Sequence, residues 1–296
     1  MKPEINFDAI VTSVILSDSE KECGLPDKAS ILKATEALSK YGFVRLINVF
    51  DPAKLVIWKT HYRNRYRSYL HSTDRPNRRP LFTVDVEGPF TDPYFFANPM
   101  ISPLINNFLG DNHILAALSS VVSFPGAPDQ NIHRDSPPLF NTDYSVDKDI
   151  PPYSLTVLIP LVDCTLETGC TKVWPGSHHR SHDENIEAIA PTNPEVKKGS
   201  VLITDSRLVH RGGANLSNQI RPLIYMTYHC HWFRDFGGYE DRPPVNIGNS
   251  QLKSIPDEYK HMFSWTKDQY QRIRVKNWLR RTTPDGIKQI ARILKR

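Results

Sequence analysis

Between residues 111 and 235 the chain is cut into short apolar runs by closely spaced turn signals, and no other feature constrains its fold so strongly. Strand-like segments at 130–134, 154–162, 171–174, 200–205 and 223–233 are separated by clusters such as PGAPD, ETG, PGSH and RGGANLSN. Many short strands with Gly and Pro punctuation predict an antiparallel sandwich or jelly roll. The apolar run LAALSSVVSF supplies a further strand just before them.

Helical patterns flank this core. Over 26–42, Ile31, Ala34, Leu38 and Tyr41 share one face, and Gly42 ends the helix. GFVRLINVF then alternates as a strand, and Asp51-Pro52 supplies the N-cap and first position of a second helix. Trp58, Tyr62, Tyr66 and Tyr69 recur along that helix at helical spacing, which marks a packing face. Residues 76–103, rich in Pro and Phe, predict a long structured loop, with a short helix at 101–109. Helical patterns return at 257–265, at 267–281 and after Thr283-Pro284. A single domain over 1–296 is expected, with a helical part to about 110, the β core over about 111–235 and a helical, basic part over about 236–296.

A chain of 296 residues, 39% hydrophobic and 23% charged, builds such a core without disulfides or a structural metal, so a bound metal is expected to be functional. Cys23, Cys164, Cys170 and Cys230 form no C-x-x-C pair; free thiols in a reducing compartment are expected, with the last three buried. The N-terminal apolar run is broken by Thr and Ser and flanked by acids, which makes a poor secretory signal. No stretch approaches the roughly 20 apolar residues that span a bilayer. A cytoplasmic protein without a membrane partner is the expectation. From Lys267 onward ten Lys and Arg face two Asp, which leaves residues 1–266 at −3 of the net +5. Solvated helix faces explain this better than a nucleic-acid surface, because no recognition motif accompanies the charge. Arg63, Arg65, Arg67, Arg75, Arg78 and Arg79 form a second basic stretch, open to lining a pocket for an acidic substrate.

The segment NIHRDSPP carries the chemistry. His133 and Asp135 stand two apart, so on a strand both side chains point to one face and reach one ion. His210, read as the end of an apolar strand before a Gly pair, is placed to be the third ligand. Two neutral imidazoles and one carboxylate hold Fe(II) on one face and leave three positions open, as oxygen chemistry with a bidentate co-substrate requires. Arg221, eleven residues after His210, can hold the far carboxylate of 2-oxoglutarate by two parallel, charge-assisted hydrogen bonds. Gln130, three residues before His133, is a weaker candidate for the same co-substrate.

Taken in order, H-x-D, G-C-T-K-V-W-P-G-S-H, K-K-G-S-V-L-I-T-D, H-R-G-G-x-N and then Arg, the chain resembles the phytanoyl-CoA dioxygenase family over roughly residues 40–235. The resemblance implies a double-stranded β-helix (a jelly-roll, cupin-like core) that uses Fe(II), 2-oxoglutarate and O2. It also implies His133, Asp135 and His210 as iron ligands, and Arg221, with Gln130 and Thr171, as co-substrate contacts. The expected reaction is oxidation, chiefly hydroxylation, of a small organic metabolite such as a natural-product intermediate or acyl thioester, releasing succinate and CO2. Some members place Ser two residues after the distal His; here that residue is Gly212, which shifts weight onto Gln130 and Thr171. Related halogenases replace the carboxylate ligand by a small residue, so Asp135 argues against halogenation.

Rival readings follow from the same residues. His178, His179 and His182 read as a solvated polar loop, and His229 with His231 as pocket or core rather than a second metal pair. Arg134 and Arg211, adjacent to ligands on an extended chain, are expected to face away from the metal. Trp174 and Trp232 read as core. The loop 136–152, with Phe140 and Tyr144, suits a lid over a small molecule. A catalytically silent jelly roll, or an oxygenase acting on protein or nucleic acid, remain the alternatives, and the oligomeric state is left open.

Overall fold

A computed structural model of the chain describes residues 12–71, 78–136, 138–140, 146–181, 185–235 and 243–265. The helices 267–281 and beyond 283, the basic tail they carry, Arg75, His182 and most of the loop tip around Tyr144 lie outside the described residues.

The N-terminal helices form where the caps demand. After β1 (Ser13–Ile15) and α1 (Asp18–Cys23), the Asp27 carboxylate accepts from Ser30 N and starts α2 (Lys28–Tyr41). Gly42 ends α2 at φ 80°, a left-handed conformation that favours glycine. A Cβ there would lie 2.6 Å from the His178 ring. Ala34, Ala37 and Leu38 are the buried face of α2, which leads directly into β2 (Phe43–Ile47). Asp51 accepts from Ala53 N and Pro52 opens α3 (Pro52–Arg65), followed by α4 (Arg67–His71). The aromatic stripe is packing: Trp58, Tyr62 and Tyr66 are buried, and the Tyr62 hydroxyl meets Ser120 Oγ at 2.6 Å, tying α3 to the sheet.

Residues 76–103 contain more than loop: β3 (Leu81–Thr83), a 3₁₀ turn at Gly88–Thr91 and α5 (Pro93–Phe96). Next come α6 (Ser102–Leu109), β4 (Ile114–Ser123), β5 (Ser154–Pro160), β6 (Thr171–Val173), β7 (Val201–Asp205), β8 (His210–Gly212), β9 (Arg221–His229) and α7 (Asn249–Ser254). The segment 257–265 forms a 3₁₀ stretch, Asp257–Phe263, in place of the expected regular helix. Seven strands make one sheet in the order β1-β2-β7-β5-β9-β4-β3, antiparallel except for β1 against β2. β6 and β8 make the smaller sheet, which bridges from His133 to His210 and from Thr192 to Val173 extend.

Two apolar clusters hold the layers. One lies between the large sheet and the helices, with Trp58, Phe95, Leu118 and Ile224 in it. The other draws Leu158, Leu202 and Leu223 from the large sheet and Val173, Val196 and Leu208 from the opposite side, so it fills the space between the sheets. Every residue of β4 and β5 is buried because both of their faces are covered. This is the jelly-roll arrangement, the double-stranded β-helix with flanking helices. Among the described residues no helix is long and apolar enough to cross a membrane.

Three expectations near the site change. Residues 130–134 form only a bridge at His133 rather than a full strand. The last strand begins at Arg221 and ends at His229. His210 does not end an apolar strand; it opens β8, because the chain turns at Asp205, where the carboxylate accepts Arg207 N and the carbonyl accepts Leu208 N.

Candidate metal centre

His133 and His210 face each other as an antiparallel pair that exchanges two backbone hydrogen bonds, 3.0 and 2.9 Å. Directly opposed residues place their side chains on one face, and the two rings stand 4.4 Å apart. Asp135, two residues beyond His133, joins that face. Its N–H and that of Ser136 both donate to Ser206 O, at 2.9 and 3.0 Å, which fixes the segment after the first histidine. Asp135 Oδ1 lies 3.8 Å from His133 Nε2 and 3.5 Å from His210 Nε2. One ligand-type atom from each of the three residues falls within 4.8 Å of the others.

Both imidazoles are prepared to ligate. His133 Nδ1 donates to Asn131 O at 2.8 Å and His210 Nδ1 to Leu208 O at 3.0 Å, so each Nε2 presents its lone pair to the shared centre. Burial, with His210 close by, pushes the His133 pKa down and favours the neutral, ligating form. His210 is buried, whereas the His133 and Asp135 side chains are 39% and 31% exposed, so the centre opens on one side. Donor set, tautomers and an open face all suit a divalent transition metal.

The candidate co-substrate residues gather beside it. Gly212 sits two residues past His210 and pairs with Thr171 on β6, while Gln130 pairs with Gly212 from the other side: its N–H donates to Gly212 O, and its Oε1 accepts from Gly212 N, both at 2.9 Å. A side chain at Gly212 would meet Gln130 Oε1 and come within 2.7 Å of Arg79 Nη1. Gln130 and Arg79 therefore occupy the space that a serine would take. Arg221 is 1% exposed, and its guanidinium donates to Gly169 O at 2.9 Å and Thr168 O at 3.4 Å. Among the described residues it has no carboxylate partner. Arg79 donates to Pro128 O and Gly213 O through Nη2, while its buried Nε and Nη1 are without partners. Burial and the neighbouring Arg221 charge bring its pKa down to about 10. Two close guanidiniums, one buried without a counter-ion among the described residues, call for an anionic ligand.

The family model of phytanoyl-CoA dioxygenase matches residues 38–223, more than half of the chain. The chain belongs to the phytanoyl-CoA dioxygenase family. Its relatives include the Fe(II)/2-oxoglutarate-dependent dioxygenase nvfF of Aspergillus novofumigatus, 38% identical over 152 residues, 48% of this chain and 45% of that protein. Dioxygenase trt7 of Aspergillus terreus is 30% identical over 164 residues, 53% of each chain. The chain spans about half the length of these curated relatives. The epimerase SnoN, solved with Fe3+, alpha ketoglutarate and nogalamycin RO, shares the fold at TM-score 0.56 over 71% of this chain and 88% of that one, at 18% identity.

Other candidates resolve differently in this phytanoyl-CoA dioxygenase family chain. His178 is buried, not solvated: its Nε2 donates to Ser39 O at 3.0 Å, and burial lowers its pKa to about 4. His179, also bound to Ser39 O, is the exposed member. His229 is buried in the pocket of the metal centre, while His231 is exposed. Trp174 is buried, but Trp232 is 58% exposed because β9 has already ended. Cys164, Cys170 and Cys230 are buried free thiols. Arg211 pairs with Asp129 at 2.5 Å, and Arg134 donates to the Arg207 and Arg180 carbonyls. Among the described residues of the basic stretch, Arg79 reaches the site; Arg65 is tied to Asp85 and Glu87, and Arg63 and Arg67 line a separate groove. Sequence reasoning missed the placement of Arg79 and of Tyr225. The alternation of Arg221, Tyr225 and His229 along one face of β9 was the available signal for Tyr225.

Proposed function

We propose that the chain is an Fe(II)- and 2-oxoglutarate-dependent dioxygenase that hydroxylates an unactivated C–H of a small organic metabolite, such as a natural-product intermediate or acyl thioester. The overall conversion joins substrate, 2-oxoglutarate and O2 to give the alcohol, succinate and CO2. The observation that carries this reading is a buried Arg221 without a carboxylate partner among the described residues, beside a His-Asp-His cluster whose Nε2 atoms converge.

His133, Asp135 and His210 would hold the metal, with the tautomers set by Asn131 and Leu208. Bound Fe(II) supplies the open coordination positions and the oxidising chemistry. Arg221 would receive the far carboxylate of 2-oxoglutarate, and Arg79 would add a second positive charge at the same end. Gln130 and Thr171 flank the co-substrate. Tyr225 lies near Arg221, Asp135 and Arg79, and burial pushes its pKa up to about 12, so the phenol stays protonated. SnoN, whose solved complex holds nogalamycin RO, supports a small-molecule substrate.

The test is succinate formation from 2-oxoglutarate by the Fe(II)-loaded protein under O2, before any substrate is known. Slow, metal-dependent succinate release that Asp135→Ala abolishes supports the reading. A folded, metal-loaded protein that yields no succinate above the protein-free control, even with a broad panel of small metabolites, returns the silent jelly roll.

A further inference from the structure

His229 is a buried titratable group that metal and co-substrate binding leave unused. It sits at the far end of β9 from Arg221, on the same face, because residues 221, 225 and 229 differ by even steps along one strand. Eight residues of antiparallel strand separate the two, about 27 Å at roughly 3.4 Å per residue. One end of that face thus carries the guanidinium proposed for the co-substrate, and the other carries an imidazole. The cavity of about 210 Å³ that contains His133, Asp135 and His210 reaches His229 and Asp235 as well. Its remaining wall mixes apolar Ala117 and Val121 of β4 with polar Ser119, Ser136, Ser206 and Thr227.

His229 is 3% exposed; the Phe233 carbonyl lies within reach of the ring, yet Nδ1 has no well-aligned hydrogen-bond partner among the described residues. A buried polar nitrogen without a partner is unfavourable by about 1–3 kcal/mol, so its retention in the wall of a functional cavity marks a ligand contact. We infer that His229 is a substrate-binding residue, its imidazole hydrogen-bonding a neutral oxygen function, a hydroxyl or ketone, on a small molecule. This rests on the oxygenase reading of the same cavity.

The choice of a neutral group follows from the surroundings. Burial, helped by the nearby Arg234 charge, lowers the His229 pKa to about 3, so the ring is uncharged at neutral pH and offers an anion no charge. The two guanidiniums that favour an anion lie at the other end of β9. The acidic substrate that the basic stretch 63–79 left open is therefore disfavoured at this cavity.

Three probes on one rigid apolar cage test the inference: 2-adamantanone, 1-adamantanol and adamantane-1-carboxylate. Dissociation constants are measured by ligand-observed NMR on full-length protein, with Zn(II) and 2-oxoglutarate and again metal-free. The ketone and alcohol are expected to bind about ten-fold or more tighter than the carboxylate, and His229→Leu is expected to remove about ten-fold of that preference, the size of one hydrogen bond to a buried group. His229→Gln, which keeps a donor and an acceptor, is expected to restore part of it. In wild type with ¹⁵N-labelled histidine, the ketone is expected to shift the His229 Nδ1 resonance, a readout that holds even if the variants fail to fold. An unchanged ketone-to-carboxylate ratio in His229→Leu, or a silent Nδ1 resonance, overturns the inference. Failure of 2-oxoglutarate to bind wild type would overturn the oxygenase reading instead, while the metal-free titrations still decide the role of His229.

Discussion

Arg221 is the residue on which the proposed co-substrate end turns, because among the described residues its buried guanidinium meets two carbonyl oxygens and no carboxylate. Arg221→Leu is expected to raise the Kd for 2-oxoglutarate about 100-fold or more, some 3 kcal/mol, with metal affinity nearly unchanged, as calorimetry on the Zn(II) protein would show. Arg221→Lys should recover only part, since an ammonium does not form the two parallel bonds. Gly212 supplies a second test. Gly212→Ser places a side chain where Gln130 and Arg79 stand, and should weaken 2-oxoglutarate about ten-fold or more through their displacement. At this scale the clustering of His133, Asp135 and His210 was legible in the sequence, because residues two apart in an extended segment share a face and His210 follows in a recognisable motif order. Arg79 was not, since only the packing of its loop against the Pro128 and Gly213 carbonyls brings it to Gly212.

Helix ends decide the next level. Gly42→Ala forces a left-handed conformation on a residue with a Cβ and drives that atom into His178 and Leu208, so a loss of about 2–4 kcal/mol in denaturant unfolding is expected. Glu20 closes a capping box on Ser17 and also accepts from Asp27 N at 2.9 Å, joining α1 to the start of α2. Burial opposes its ionisation, but the hydrogen bonds from Ser17 and Asp27 outweigh it and hold the pKa at about 2. A carboxyl depressed in the folded state stabilises fully above its unfolded value near 4.5 and loses that contribution as pH falls toward 2. Glu20→Gln should therefore lower stability at pH 7, and the gap to wild type should close as both are unfolded at progressively lower pH between 4.5 and 2. The helices around 26–42 and after Asp51 were legible because caps and apolar spacing are local signals. β8 was not, because Leu208 and Val209 prolong the apolar run of β7 while the Asp205 turn separates the two strands.

Across the whole molecule, one turn ties the ligand segments together. Arg207 and Asp205 form a buried pair at 2.6 Å, each side chain 1% exposed. Arg207 also donates to Asp147 O and Ile150 O, and the Asp147 carboxylate accepts from Leu139 N and Phe140 N. The same turn offers Ser206 O to Asp135 and Ser136, so it fixes the segment after His133 and the approach to His210 at once. Asp205→Asn leaves the Arg207 charge uncompensated, which is expected to destabilise the fold by about 3–5 kcal/mol and to weaken metal binding, visible as a lower Tm and a raised Zn(II) Kd. The jelly roll was legible from the spacing of its strands and turns. This coupling was not, since it joins residues 60 apart in sequence. The central claim, one site for Fe(II) and 2-oxoglutarate built by His133, Asp135, His210 and Arg221, is tested most directly by anaerobic absorption spectroscopy. Fe(II) and 2-oxoglutarate added together to wild type are predicted to give a visible charge-transfer band that weakens in both Asp135→Ala and Arg221→Leu. A folded wild type without the band, or a band unchanged in both variants, would contradict it.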